Sequence, residues 1–476
     1  MQIHTRISDT SCSVVSPPCS RHGADRDSDS MNSNDKSSCS QQTQFNLVQV
    51  KGTWTRQAEP GQLAGATLSE AKIFEAHSEH GVSWTVVSPV VFTYRVIQCR
   101  NLLDPRNDTL LWGHVADEDL KSVMSRSADV KRLVVMDETV FRLYGAQVTH
   151  YFESRGVVYK LLPLPTTEEN KSLGLVTKIL EEVHQFGLDR RSEPIIAIGG
   201  GVCLDVVGLA ASLYRRRTPY IRVPTTLLAY VDASVGAKTG VNFAGGKNKL
   251  GSYVPPVATF LDRSFFQTVP PRQISNGMAE MLKMALMKHR GLFELLESEG
   301  GKLLQSKLQS DETADTSERE DGAAASVRMA IETMLEELAP NLWEDDLDRL
   351  VDFGHLISPE LEMRVLPALL HGEAVNIDMC LMVYVAQQKG LLTAEEKGRI
   401  VQCMLGLRLP VWHEACTLAL VRRALGERLR HSAGSVRMPL PTGLGRAEIF
   451  HDMIEDDILT QAFQNWTDEL SSAGNK

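Results

Sequence analysis

The stretch from Ile195 to Gly251, IIAIGGGVCLDVVGLAASLYRRRTPYIRVPTTLLAYVDASVGAKTGVNFAGGKNKLG, limits the possible folds more than any other. Ile195 to Ile198 is a short apolar, β-branched run and reads as a buried strand. Gly199, Gly200 and Gly201 end it, and a helical pattern starts at once. Strand, glycines and helix in that order present free backbone N–H groups to a phosphate. Glycine has no Cβ, so the backbone can approach an anion closely. Read alone, the triple glycine is equally a plain tight turn. Pro224-Thr225-Thr226 then closes a second strand and offers two hydroxyls. Asp232, Lys238, Lys247, Asn248 and Lys249 follow within a segment rich in glycine and small residues. Each glycine inside a helix costs about 1 kcal/mol, so this segment reads as loops and a hairpin. Loops on a rigid sheet gather polar groups around ligands. The plainer alternative for these lysines is a solvated basic loop.

The remaining chain frames that stretch. Its 476 residues are enough for two domains, each with a core. A net charge of −10 argues against a nucleic-acid partner, whose footprint would be basic. No apolar run reaches the roughly eighteen residues of a membrane span. Residues 1–45 hold eleven serines and few large apolar groups and read as a disordered tail. The eight cysteines show no CxxC pair and no disulfide framework, which fits the reducing cytoplasm. From there to residue 270, strands alternate with helices, the pattern of a parallel sheet covered on both faces. Strand signals include Ser83 to Cys99, Arg132 to Met136 and Val157 to Leu162; Thr166 starts a long amphipathic helix. Asp137, at the end of one strand, reads as a ribose acceptor or a helix N-cap. Glu168 in a first helical turn complements the helix dipole. From 271 to 476 helical patterns dominate, at Ser275 to His289, Ala323 to Leu338, Glu360 to Lys389 and Thr393 to Leu405. A polar stretch from Lys307 to Gly322 reads as a solvated loop.

Several motifs in one order carry a resemblance. GGGVCLDVVG, RVPTTLLAYVDASVGAKTGVN, GKNKLGSY, GMAEMLKMALM, DFGH, LLHGEAV and PLPTGLG resemble the sugar phosphate cyclase superfamily, whose best-known member is 3-dehydroquinate synthase. The resemblance spans Val130 to Gly445 and implies a Rossmann-like α/β domain followed by an all-α domain. It implies NAD+ as cofactor, with Asp137, Glu168, Lys171, Gly200, Gly201, Asp205, Thr225, Thr226, Lys247 and Thr268 around it. It also implies Zn2+, or Co2+, held by Glu280, His355 and His371; one carboxylate and two imidazoles suit such a metal with a position left open. Lys283, Lys238, Asp232, Asn248 and Asp352 would face a sugar phosphate substrate. Without the resemblance, Lys283 and Glu280 are simply an i,i+3 ion pair. Arg216 would reach the substrate phosphate across a homodimer interface; as part of Arg215-Arg216-Arg217 it is otherwise a solvated run. The implied reaction oxidises a secondary hydroxyl with NAD+, eliminates phosphate, reduces the ketone again and closes a carbocycle by an intramolecular aldol step.

The departures from dehydroquinate synthase go one way. Asp352 replaces an asparagine and Pro359 a second histidine; by spacing, Met334 and Asp348 replace a lysine and an arginine, and Ser435 stands nearest a missing lysine. A substrate carboxylate needs cations or donors, whereas Asp352 accepts hydrogen bonds from hydroxyls. The expected substrate is therefore a neutral-chain sugar phosphate, sedoheptulose 7-phosphate, as in the 2-epi-5-epi-valiolone synthase branch that the Asp-Phe-Gly-His and Ser-Pro pattern resembles. Demethyl-4-deoxygadusol synthase and 3-dehydroquinate synthase are the alternatives within the superfamily. An NAD- and metal-dependent alcohol or glycerol dehydrogenase is the alternative outside it.

Overall fold

The computed structural model describes residues 92–116, 119–120, 130–309, 321–430, 436–452 and 454–470 in full, with the backbone of 431 and of four strands between 45 and 87. The serine-rich tail, most of the polar 307–322 stretch and Ser435 lie outside the described residues.

Six parallel strands form the first domain. Their order is Arg95–Cys99, Ala258–Asp262, Tyr220–Pro224, Ile195–Gly199, Lys131–Asp137 and Val158–Leu164. The three strands Ile195–Gly199, Tyr220–Pro224 and Ala258–Asp262 are buried at every residue. That burial explains their continuous apolar text, since helices cover both faces of a parallel sheet. Leu173–Phe186 and Gly201–Leu213 pack on one face, and Glu138–Ser154 packs on the other. Gly199 permits the tight strand-to-helix turn, because a Cβ there would lie 2.7 Å from Cys203 Cβ. The expected hairpin is present, with Lys238–Phe243 antiparallel to Gly246–Tyr253.

The second domain is built around two helices, Pro271–Met287 and His371–Gln388, whose residues are buried over most of their length. Arg290–Gln305, Gly322–Leu338, Ala394–Gly406, Leu418–His431 and Asp456–Leu470 surround them.

Three expectations need correction. The helix read over Glu360 to Lys389 is two helices, Ser358–Val365 and His371–Gln388. Pro367 separates them, because proline lacks an N–H and forces the residue before it out of helical geometry; Leu366 has ψ 137°. The helix expected from Thr166 begins only at Leu173, after a short 3-10 turn at Glu168–Asn170. The second domain also carries a β-hairpin, Met438–Gly443 with Arg446–Phe450, so it is not wholly helical.

The domains meet at Gly277, where a Cβ would lie 2.6 Å from both Leu227 Cβ and the backbone N of Leu228. A backbone atom cannot swing aside as a side-chain tip can. Gly277→Ala is expected to destabilise the protein by roughly 1–3 kcal/mol through overpacking. Denaturant unfolding checks this, and an unchanged midpoint would show that the two domains can separate without cost.

Candidate active site

A cavity of about 810 Å³ opens between the C-terminal ends of the parallel strands and the helical domain. Ligands of open α/β sheets bind at that edge. Of the residues predicted for the site, all line the cavity except Glu280 and Arg216.

The α/β side supplies the anion-binding half. Gly200, with no side chain to cap the helix, is the N-cap of Gly201–Leu213, and Gly200, Gly201 and Val202 line the cavity, which leaves the first-turn N–H groups for an anion. Asp137 accepts from the backbone N of Thr139 and Val140 at 2.8 and 3.3 Å, and from Thr166 Oγ1 at 2.6 Å. It is thus a helix N-cap that also faces the cavity. Lys171 donates to Asp205 Oδ2 at 2.6 Å and Asn248 Oδ1 at 2.7 Å. Burial works to lower its pKa, but Asp205 and Glu168 outweigh burial and hold it raised. Glu168 accepts from Asn242 Nδ2 at 2.8 Å, and Thr268 shares a hydrogen bond with Tyr144 at 2.8 Å. Thr225 is buried; its N–H donates to Gly199 O at 2.9 Å, joining the two strand ends.

The helical side supplies a metal-competent cluster. Ligand atoms of Glu280, His355 and His371 all lie within 4.8 Å of one another. Glu280 is 1% exposed; its Oε1 has no hydrogen-bond partner, and its Oε2 is met by Lys283 Nζ at 2.5 Å. His355 Nδ1 lies 3.1 Å from Phe353 O, which leaves Nε2 for a ligand bond. Burial, together with the Lys283 charge, holds the His355 pKa well below its ordinary value, so the ring is neutral as a metal ligand must be. His371 Nδ1 lies 2.8 Å from Glu362 Oε2, which again leaves Nε2 turned toward Glu280 Oε1 at 3.7 Å. The donor set and its free atoms fit Zn2+.

Glu362 is a functional residue that sequence reasoning missed. It is 2% exposed, and Lys247 Nζ donates to both its oxygens at 2.6 Å. Burial pushes its pKa up, yet His371 and Lys247 outweigh that and hold it at about 2. Lys247 therefore anchors a metal-side carboxylate as well as lining the cofactor side. Asp378, also unpredicted, accepts from the N–H groups of Ile357 and Ser358 at 2.6 and 2.9 Å and so fixes the chain after His355. Burial raises its pKa to about 6. Neither acid belongs to a motif that separates it from an ordinary surface carboxylate.

The polar wall differs from the expectation in one respect. Met334, Asp352 and Pro359 line the cavity, but Asp348 does not; it pairs with Arg437 Nε at 3.0 Å and His451 Nε2 at 3.2 Å. The next residue, Arg349, forks onto Asp352 through Nη2 at 2.7 and 2.8 Å and contacts Glu344. Asp352 is thus a neutralised acceptor rather than a free negative charge. Lys238 pairs with Glu344 Oε1 at 2.5 Å. Lys283 is pulled down by burial, and Glu280, Asp232 and Asp352 more than restore its charge. Arg216 is exposed and lines a separate pocket with Arg190, Arg191 and Arg217, away from the active cavity of its own chain.

Carboxylate partners of metal-binding histidines fix the ring and its tautomer, and losing one costs about 10–100-fold in metal affinity. Glu362→Gln is therefore expected to weaken Zn2+ binding by that factor in a competition titration with a chelator. Wild-type affinity in this variant would show that Glu362 does not orient His371.

Comparisons with known proteins identify the family. Residues 161–276 match the family model for the 3-dehydroquinate synthase N-terminal domain, and 277–427 match that for its C-terminal domain. A 2-epi-5-epi-valiolone synthase from an Actinomyces species is 46% identical over 370 residues, 78% of this chain and 94% of its own length. A 3-dehydroquinate synthase from Prochlorococcus marinus is 30% identical over 74% of this chain and 93% of its own. The solved structure of ValA, a 2-epi-5-epi-valiolone synthase from Streptomyces hygroscopicus with NAD+ and Zn2+ bound, is 41% identical, with a TM-score of 0.73 over 81% of this chain and 100% of that one. Two consecutive family domains, in the order α/β domain then helical domain, lead to one conclusion: the chain belongs to the 3-dehydroquinate synthase-like sugar phosphate cyclases.

Proposed function

We propose that this protein converts sedoheptulose 7-phosphate to 2-epi-5-epi-valiolone with loss of inorganic phosphate. The observation that carries the substrate choice is the wall around His355, where Asp352, Met334 and Pro359 face the cavity. Among the described residues four lysines line the cavity, each already paired: Lys171 with Asp205, Lys238 with Glu344, Lys247 with Glu362 and Lys283 with Glu280. A substrate carboxylate would find no unpaired lysine among the described residues of the lining, and a stranded charge in such a pocket is costly. Hydroxyls of a neutral sugar chain find acceptors in Asp352 and Glu344 instead. The greater identity to the valiolone synthase of Actinomyces than to the dehydroquinate synthase of Prochlorococcus supports the same reading.

Glu280, His355 and His371 would hold Zn2+, and the uncapped Gly200 turn with Asp137, Glu168, Lys171 and Thr226 would hold NAD+. When bound, these groups polarise the reacting oxygen and carry a hydride out and back. The chain itself orients the sugar. Lys283 stands beside Glu280 with Asp232 acting on its charge, and Asn248, held by Lys171, closes the cofactor side. A phosphate dianion needs a cation that is not already paired. Arg216, exposed outside its own chain's cavity, supplies one to a second copy in a homodimer. The five described cysteines are free thiols, as suits an enzyme of the cytoplasm.

Three measurements test the reading. Incubation with sedoheptulose 7-phosphate should release one phosphate per carbocyclic product, with NAD+ required but no NADH accumulating. Stoichiometric NADH would favour a dehydrogenase. In competition, the carboxylate-bearing dehydroquinate precursor should turn over about a thousandfold more slowly, the equivalent of roughly 4 kcal/mol of lost transition-state binding; comparable turnover would return the protein to dehydroquinate synthesis. Sedimentation should show a dimer at assay concentration, and a fully active monomer would remove the role given to Arg216.

A further inference from the structure

Asp232 and Lys238 stand at the two ends of a short loop that forms part of the cavity wall. The loop leaves regular structure at a π-helical turn, Ala229–Ala233, and enters a strand at Lys238. Such a segment has backbone carbonyls with no helix or ladder to satisfy them, and buried carbonyls need partners. Here all six consecutive carbonyls are met. Arg222 Nη1 donates to Ala233 O at 2.9 Å and Gly236 O at 2.6 Å, and its Nη2 donates to Lys238 O at 2.7 Å. Thr259 Oγ1 donates to Ser234 O at 2.8 Å, Tyr94 OH to Val235 O at 3.1 Å, and the N–H of Val254 to Ala237 O at 2.9 Å.

Arg222 is fully buried on a central strand, its guanidinium over the Tyr220 ring at 5.4 Å. No carboxylate pairs with it among the described residues. A buried cation without a counter-ion is a costly choice for a merely space-filling position. What an arginine offers there is geometry: a rigid planar fork with five donors can span three carbonyls, which a single ammonium cannot. We propose that Arg222 is a positioning residue that fixes Asp232 and Lys238 against the substrate by gathering the carbonyls of the loop between them. It touches neither substrate nor cofactor, and it does not line the cavity.

The kinetic part of this proposal rests on the function given above; the loop itself can be followed without any substrate. Arg222→Lys keeps the charge and loses the fork. Hydrogen exchange of the 229–240 segment should rise at least about tenfold in this variant, with NAD+ affinity within about twofold of wild type. With sedoheptulose 7-phosphate, kcat/KM should fall about a hundredfold, the scale of an ångström-size misplacement of catalytic groups, with KM for the sugar phosphate rising. Arg132→Lys is the control. Arg132 is also fully buried, but donates to Lys131 O and Leu111 O away from the cavity. It should lower stability without changing exchange of the loop or KM. If Arg222→Lys does not fold, Thr259→Val removes only the bond to Ser234 O and should show the same effects at smaller size. Wild-type loop exchange and KM in the folded variant would overturn the proposal, as would an identical pattern in Arg132→Lys. If the wild type leaves sedoheptulose 7-phosphate unchanged, the functional reading fails, and loop exchange alone decides the role of Arg222.

Discussion

Glu280 is a carboxylate buried in the middle of a helix with one oxygen unpartnered, and the site is arranged around that charge. A buried carboxylate is tolerated only with compensation. Lys283, one turn further along, supplies part of it, and the free Nε2 atoms of two imidazoles converge on the same place. That arrangement makes little sense as packing and good sense as three ligands of a cation. The histidines are placed with equal care: His355 follows a 3-10 turn and is held by Phe353 O, and His371 opens a long buried helix against Glu362.

The same carboxylates tie the two domains together. Lys247 comes from the hairpin of the α/β domain, yet its ammonium lies on Glu362 of the helical domain, which in turn holds His371. The α/β half and the helical half of the cavity thus share a buried ion-paired wall. Close backbone contact at Gly277 holds the same junction from behind. The substrate end follows a similar logic of paired charge, with Arg349 balancing Asp352 and Glu344 balancing Lys238.

What was legible in the sequence follows the range of the forces involved. Buried parallel strands and a glycine turn leave local signatures, so the sheet, its hairpin and the anion-binding edge could be read directly from Ile195 to Gly251. Helix ends were less legible. The break at Pro367 carried a clear proline signal but lay within a continuous apolar pattern, and the two-residue turn Leu444-Gly445 of the C-terminal hairpin lay inside a motif read only through the resemblance. The three candidate metal ligands lie 75 and 16 residues apart in sequence order, 280 to 355 to 371, and only their resemblance to known motifs joined them. Glu362, Asp378, Arg349 and Arg222 were not legible, because their importance comes from burial and from partners far along the chain. Asp348 was misplaced by one residue's worth of reasoning: spacing put it in the pocket, whereas Arg437 and His451 hold it outside.

The central claim is that Glu280, His355 and His371 form one metal site inside the cavity that also receives the nucleotide. Anomalous diffraction at the zinc edge, on crystals grown with Zn2+ and NAD+, tests it most directly. A single strong peak is expected, bonded to the free Oε1 of Glu280 and to Nε2 of both histidines, with Lys283 remaining on Oε2. A peak elsewhere, or none with Glu280 still paired only to Lys283, would contradict it.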